Sequence, residues 1–267
     1  MGKPKSIADR MKDYENVSRY YLTKRSPVII RIDGRAFHSF TKGFKRPFDT
    51  LFMEVMAETA KALCENITGC KLAYTQSDEI SLLLTDYETT ETQPWFENNL
   101  QKIVSISASI ATLAFNKSFA EKCNAFIEDN KSNMKADIVL NAYCSALAKA
   151  VRNGGTFDAR AFILPKEEIV NYFIWRQQDA TRNSILMVAQ SLFSHGDIQG
   201  ITCDGLQDKM FTERGVNWND YPIPQKRGTC VIKQTVMQNN VERRKWVIDC
   251  NIPIFTKDRD YINALVP

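Results

Sequence analysis

Val28-Ile29-Ile30-Arg31-Ile32-Asp33-Gly34 is the stretch on which the fold turns. Val28, Ile29, Ile30 and Ile32 favour a pleated, buried backbone, so the run predicts a short strand. Ser26-Pro27 breaks the pattern ahead of it, and Asp33-Gly34 closes it with turn residues. Upstream, Ile7, Met11, Tyr14, Val17 and Tyr21 recur at three- or four-residue spacing and predict a helix over residues 6–24. Downstream, Asp49 caps a predicted helix that runs to about Asn66, with Phe52, Val55, Met56, Thr59, Ala60 and Leu63 on one face. Two strands follow near 71–76 and 79–85, and Ser77-Asp78 at their junction reads as a hairpin turn. Residues 95–120 predict a long helix, apolar on much of its circumference and therefore largely buried. Residues 157–164 (FDARAFIL) predict another strand.

The order β-α-β-β-α-β is the ferredoxin-like arrangement, an α+β fold with two helices on one face of a four-stranded antiparallel sheet. The remainder predicts a helix over 166–192, a polar region over 194–226, a hairpin over 228–250 and a tail. The expected division is a catalytic core, 1–165, and a C-terminal helical and hairpin extension, 166–267, packed on it.

The chain has 267 residues, 44% apolar and 25% charged, enough for one core with an elaboration. Its net charge of +4 favours a polyanionic partner over a cationic one. The seven cysteines include no CxxC and no zinc-finger spacing. With only His38 and His195, a histidine-rich metal site is excluded, so any metal is a hard cation held by carboxylates. The start, MGKPKSIADRM, lacks the apolar stretch of a secretory signal, and its superficial myristoylation pattern has no second membrane signal beside it. The nearly uncharged stretch from Ile103 to Asn116 is too short to span a bilayer. The expectation is a cytoplasmic protein with reduced thiols and no membrane partner.

In the ferredoxin-like topology the first strand and the hairpin are neighbours, which brings Asp33 and Asp78 together, with Glu79 beside them. Two carboxylates so placed repel unless cations neutralise them. Two Mg²⁺ ions would do so and would suit an in-line phosphoryl displacement. The competing reading is two ordinary turns, since Asp, Gly and Ser are common turn residues. The surroundings favour chemistry. In RIDGRAFHSFTKGFKRPFD, Gly34 and Ala36 let backbone N–H groups approach a triphosphate, and Arg31, Arg35, Lys42, Lys45 and Arg46 supply positive charge.

RIDGRAFHSFT, QSDEIS and WRQQD resemble the motifs of the tRNA(His) guanylyltransferase superfamily, the 3′–5′ polymerases, over about residues 8 to 235. The resemblance implies a polymerase palm and two divalent metal ions. It implies that Asp33, Asp78 and the Gly34 carbonyl are metal ligands, with Glu79 following the second Asp of the motif. Gly34, Arg35, Ala36, Phe37 and His38, with Lys45, Arg46, Ser77, Asp78 and Lys102, would hold the nucleotide. Asp158, Arg160, Asn183, Lys209, Asn217, Lys226 and Arg227 would meet RNA. The implied substrates are tRNA, ATP and NTPs such as GTP. ATP activates a 5′-phosphate and the 3′-hydroxyl of an NTP then attacks it. The implied assembly is a homotetramer.

After WRQ the sequence departs from the pattern HINNLYNT of members that add G to tRNA(His). It reads WRQQDATRNSILMVAQ: Thr181 stands where His is expected, Asn183 alone remains of the Asn pair, and Ser184, Leu186 and Met187 also differ. This looks like the bacterial, guanylyltransferase-like branch and favours template-directed repair of 5′-truncated tRNAs over G addition to tRNA(His). Two other readings stay open: a palm-type nucleotide cyclase, and a noncatalytic ferredoxin-like RNA-binding module, which has no use for an Asp33/Asp78 pair. Trp175, beside Ile169, Phe173 and Ile174, reads as core, the run 242–245 (ERRK) as a solvated face able to track phosphates, and the Ser/Ala-rich face at 105–114 as suited to close helix packing or a subunit contact.

Overall fold

The structure is a computed structural model that describes residues 5–238 and 241–266. Most of the leading MGKPKS pattern and the tip of the C-terminal hairpin lie outside the described residues. Strands β1 (Val28–Gly34), β2 (Cys70–Gln76), β3 (Glu79–Leu84), β4 (Phe157–Ile163), β5 (Thr229–Gln238) and β6 (Val241–Asp249) form one antiparallel sheet in the order β4-β1-β3-β2-β5-β6. The first four strands have the ferredoxin-like order, and the C-terminal hairpin extends the same sheet by two. In register, Ile30 stands between Leu82 and Ala161, and Asp33 between Glu79 and Asp158.

Side chains alternate across the pleat, so one strand feeds two cores. Val28, Ile30 and Ile32 face the helices α3 (Thr50–Asn66) and α4 (Leu100–Asp129). Ile29, Leu72, Tyr74 and Leu83 face α6 (Ile169–Leu192) on the opposite side, where Ile169, Val170 and Phe173 cover them. Each such buried aliphatic side chain contributes roughly 1.5–3 kcal/mol. The Asp49 side chain caps α3 by accepting from the Phe52 N–H at 3.0 Å.

Several expectations need correction. The first helix, α1 (Ile7–Asn16), is shorter than 6–24, and Ile7, Met11, Tyr14 and Val17 are exposed. Among the described residues none buries them, so burial adds nothing to carry the helix further. The long helix starts later and ends later than 95–120. Phe96, Glu97 and Asn98 adopt positive φ, and Asn99 caps α4 through the Lys102 N–H. It is not largely buried: Ile103, Ser107, Ala111, Phe115, Phe119 and Cys123 form one inward stripe, while Ile106 and Leu113 are exposed. At 30 residues, α4 is long enough to cross a bilayer, but its inward stripe packs into the core. A further helix, α5 (Ile138–Asn153), precedes β4, after a short helix α2 (Phe37–Phe40) earlier in the chain. The polar region after 194 is mostly helical, with α7 (His195–Ile198), α8 (Cys203–Arg214) and α9 (Ile223–Arg227). It is held by a small third core of Ile185, Val188, Leu206, Met210 and Trp218. A last short helix, α10 (Asp260–Asn263), packs its Ile262 into the α6-side core.

Candidate active site

The hairpin between β2 and β3 is a two-residue turn. Gln76 pairs with Glu79, which leaves Ser77 and Asp78 at the bend, Ser77 with φ of 50°. A left-handed residue at the first bend position matches the twist of a two-residue hairpin. The Gly34 N–H donates to the Asp78 carbonyl at 3.0 Å, which ties the end of β1 to this turn. A Cβ on Gly34 would lie 2.5 Å from Phe37 Cδ2 and 2.9 Å from Asp78 Cβ, so only glycine permits the approach. Phe37 itself packs against the rings of Phe40, Phe52, Phe115 and Phe157, which anchors the loop after β1 in the core.

Above this junction opens a cavity of about 440 Å³. Its lining includes Gly34, Ala36, Phe37, His38, Lys45, Arg46, Ser77 and Asp78. Ala36 has φ of 56°, a left-handed kink that turns the loop toward the cavity. Burial pushes the Asp78 carboxyl above its ordinary value; its own backbone and the Ser77 hydroxyl pull it back, and the charge of Asp33 raises it further. Asp33 does not line this cavity. It stands on β1 beside Gly34, on the face turned toward α6, yet it is close enough for its charge to act on Asp78.

Glu79 takes a different position from its neighbour. It is 5% exposed and points to the α6 side of the sheet, where Arg176, 3% exposed, holds both its oxygens through Nε (2.7 Å) and Nη2 (2.8 Å). Arg31 Nη2 reaches Glu79 Oε2 at 2.7 Å. Burial pushes the Glu79 carboxyl up and the two guanidiniums pull it down. Arg31 is therefore spent on Glu79 and is not part of the basic loop. Trp175 is not core: it is 49% exposed, and Arg176 lies over its ring at 4.5 Å.

The other expected residues divide. Arg35 is exposed and its N–H donates to the Thr156 carbonyl. Lys45 reaches over the Tyr143 ring at 4.8 Å. Lys102 sits in the first turn of α4 near the Phe96 ring, and from there to Phe115, which touches Phe37, the helix climbs about 20 Å. Within one chain it does not meet the cavity. Asp158 and Arg160 stand on β4 beside Asp33 and Arg31, 3.5 Å from each other. Asn183 and Arg227 line a second cavity, of about 310 Å³, with Leu186 and Met187; the two cavities share Asp49, Phe52, Ser77, Met187 and Gln190. Lys209 pairs with Glu213, Asn217 caps the turn at Trp218, and Lys226 donates to the Asn219 carbonyl. Ser184 is turned inward and accepts from Trp218 Nε1 at 3.0 Å. Thr41, Phe44, Pro47, Asp49, Phe52, Met187 and Gln190 complete the first cavity. Of these, Asp49 was legible only as a helix cap, and Met187 and Gln190 are brought in by the crossing of α6.

The chemistry of the donor set fits a hard divalent cation. Asp33, a desolvated Asp78 and the backbone of Gly34 converge at one end of the sheet, and a cation would offset the like-charge pressure on Asp78.

Comparison with known proteins gives concordant results. Residues 8–165 match the family described as Thg1, tRNAHis guanylyltransferase. The chain is 27% identical to tRNA(His) guanylyltransferase of Schizosaccharomyces pombe, over 88% of this chain and 83% of that one. It is equally similar, 27%, to an uncharacterised protein of Acanthamoeba polyphaga mimivirus, over 97% of this chain and 87% of that one. A solved bacterial tRNA(His) guanylyltransferase (Thg1)-like protein in complex with ATP superposes with a TM-score of 0.83 and 46% identity, over 98% of this chain and 99% of that one.

Proposed function

The chain belongs to the Thg1 tRNAHis guanylyltransferase family, and from that premise we propose that it repairs tRNA by template-dependent addition of nucleotides, in the 3′–5′ direction, to truncated 5′ ends. It is a nucleotidyltransferase. The observation that carries the reading is the junction of the Asp78 turn with Gly34, set in the wall of a 440 Å³ cavity whose other wall is the basic loop with Lys45 and Arg46.

Two transfers are needed. A tRNA 5′-phosphate oxygen attacks the α-phosphorus of ATP, and pyrophosphate leaves. The 3′-hydroxyl of an incoming NTP, paired with the opposite strand, then attacks the activated 5′-phosphorus, and AMP leaves. The backbone from Gly34 to His38 and the side chains of Lys45 and Arg46 hold and orient the triphosphate. Asp33, Asp78 and the Gly34 carbonyl would hold two magnesium ions, which when bound supply charge for the leaving group and lower the pKa of an attacking hydroxyl. Glu79, clamped by Arg176 and Arg31, fixes the start of β3 and with it the position of Asp78.

Repair, rather than G addition to tRNA(His), is supported by the replaced segment. The Ser184 hydroxyl is spent on Trp218, Asn183 faces the second cavity, and Leu186 and Met187 give that cavity an apolar wall. Such a wall holds a base pair by shape without reading its edges. A homotetramer is part of the proposal, supported by the apolar side chains exposed on α1 and by Ile106 and Leu113 on α4. So is a cytoplasmic setting, supported by seven cysteines without a disulfide among the described residues.

The test is nucleotide addition to a tRNA lacking its first nucleotide, with Mg²⁺, ATP and labelled NTPs. Asp33→Asn and Asp78→Asn are expected each to cut addition by about 10²-fold or more while the melting temperature is retained. Normal addition by either variant would overturn the site assignment. A strong preference for full-length tRNA(His) over truncated tRNAs would overturn the repair reading.

A further inference from the structure

We propose that the β5–β6 ribbon, with the cavity at its base, is a docking surface for the sugar–phosphate backbone of the RNA substrate, engaged by Lys71, Lys233, Arg243, Arg244 and Lys245. The inference rests on the RNA substrate proposed above and adds where that RNA is held, well away from the reacting atoms.

Sheet register creates the ribbon. β2 pairs with β5 only from Thr75↔Thr229 to Leu72↔Ile232, whereas β5 and β6 stay paired as far as Gln238↔Val241. Beyond Ile232 the two strands run on without the rest of the sheet. From Thr229, at the Asp78 end, to Gln238 the strand covers about 30 Å. A duplex carries one phosphate per strand about every 3.4 Å of its axis, so this edge is long enough to follow several phosphates.

The charge on it is mainly positive, set against the single carboxylate of Glu242. The pleat puts Lys233 and Arg244 on the face of Trp246 and Arg243 and Lys245 on the other, so the cations flank the edge strand from both sides. Lys233, Arg243, Arg244 and Lys245 are all exposed, and among the described residues no carboxylate pairs with any of them. At the base of the ribbon Lys71, Lys233 and Arg244 converge on a cavity of about 440 Å³ whose one acidic lining residue, Glu88, is already paired with Lys71. Burial holds the Lys71 ammonium below its ordinary value, and the crowding of Lys233 and Arg244 adds to it, as expected where three cations gather around one carboxylate. Cations on an edge strand also deter edge-to-edge pairing. That role needs no convergence on a cavity, and the two roles separate in an experiment.

The full chain carrying Lys233→Gln, Arg243→Gln, Arg244→Gln and Lys245→Gln is compared with the unaltered protein. Affinity for a 5′-truncated tRNA is measured over a range of salt, together with ATP affinity, kcat at saturating RNA and sedimentation. The expected result is RNA binding weaker by about tenfold or more near physiological salt, with a salt slope shallower by about one for each phosphate no longer engaged. KM for RNA rises while kcat, ATP affinity and melting temperature stay the same. Unchanged RNA affinity and slope with new self-association would overturn the proposal in favour of edge protection. Loss of ATP affinity would overturn it in favour of a free-nucleotide site. If the unaltered protein neither binds nor extends RNA, the functional reading falls with it; if the unaltered protein and the variant bind and extend RNA alike, only this proposal falls.

Discussion

Removing Arg176 exposes how much of the site depends on one buried ion pair. In Arg176→Met the aliphatic volume is largely kept, but Glu79 loses two hydrogen bonds, at 2.7 and 2.8 Å, and keeps Arg31 at 2.7 Å as its one cation, with a long contact from the Ser81 hydroxyl. Both partners are almost fully buried, so solvent does not screen the loss. Breaking such a pair from one side costs about 3–5 kcal/mol; with Arg31 still in place the lower end applies, about 3 kcal/mol. For a chain of this size each kcal/mol moves the melting temperature by roughly 2–4 °C, giving a fall of about 6–12 °C at neutral pH. Glu79→Gln with Arg176→Met removes the carboxylate charge that Arg31 alone now offsets and recovers a large part of the loss, so a double-mutant cycle shows coupling of about 2 kcal/mol. The pH dependence has a definite sign. Burial already pushes Glu79 up, and loss of Arg176 pushes it further. The variant's folded state therefore gains from protonating Glu79, and its deficit shrinks as pH falls through the raised value. Thermal melts of Arg176→Met, Glu79→Gln and the double variant at neutral and mildly acidic pH check all of this. A fall under about 3 °C, or a double variant no better than Arg176→Met, would refute the reasoning.

Three further outcomes follow from the geometry. Gly34→Ala forces a Cβ to 2.5 Å from Phe37, which four rings hold in place; overpacking costs about 1–3 kcal/mol, and nucleotide addition falls by more than stability does, as melting and addition assays on one sample would show. Burial raises Cys123 from 9.0 to about 12 and pushes Cys64 and Cys230 up as well. These thiols ionise in the unfolded chain first, so stability is intact below about pH 9 and is lost as pH climbs toward 12; urea midpoints across that window check the sign. In the native protein an alkylating reagent modifies exposed Cys250 and half-exposed Cys203 well before the five buried thiols.

The sheet was legible because its signals are local. The run from Val28 to Ile32, the Asp49 cap and the Ser77-Asp78 bend each depend on neighbouring residues. The ferredoxin-like order then followed from their succession. What escaped depends on partners far along the chain. The true extent of α4 is set by the positive-φ kink before Asn99 and by one inward stripe that its scattered Ser and Ala residues obscure. Helix α8 buries only Leu206 and Met210, too little to announce itself in a polar segment. At the site, Asp33, Asp78 and the basic loop could be named because turn residues and charges lie together in sequence. Arg176 could not, since its partner lies 97 residues away and a buried arginine reads like a surface one. Trp175 was misplaced for the same reason: apolar neighbours on its helix suggested core, and only the fold shows its ring outside.

The direction of synthesis is the central claim, and one measurement addresses it directly. A tRNA lacking its first nucleotide, its 3′ end blocked by periodate oxidation, is incubated with the protein, Mg²⁺, ATP and labelled NTPs, and the site of label is mapped. The expected result is label at the 5′ end, only for the nucleotide that pairs with the opposite strand, with AMP released, and none with Asp78→Asn. Label that requires a free 3′ end, or a cyclic nucleotide formed without RNA, would contradict it.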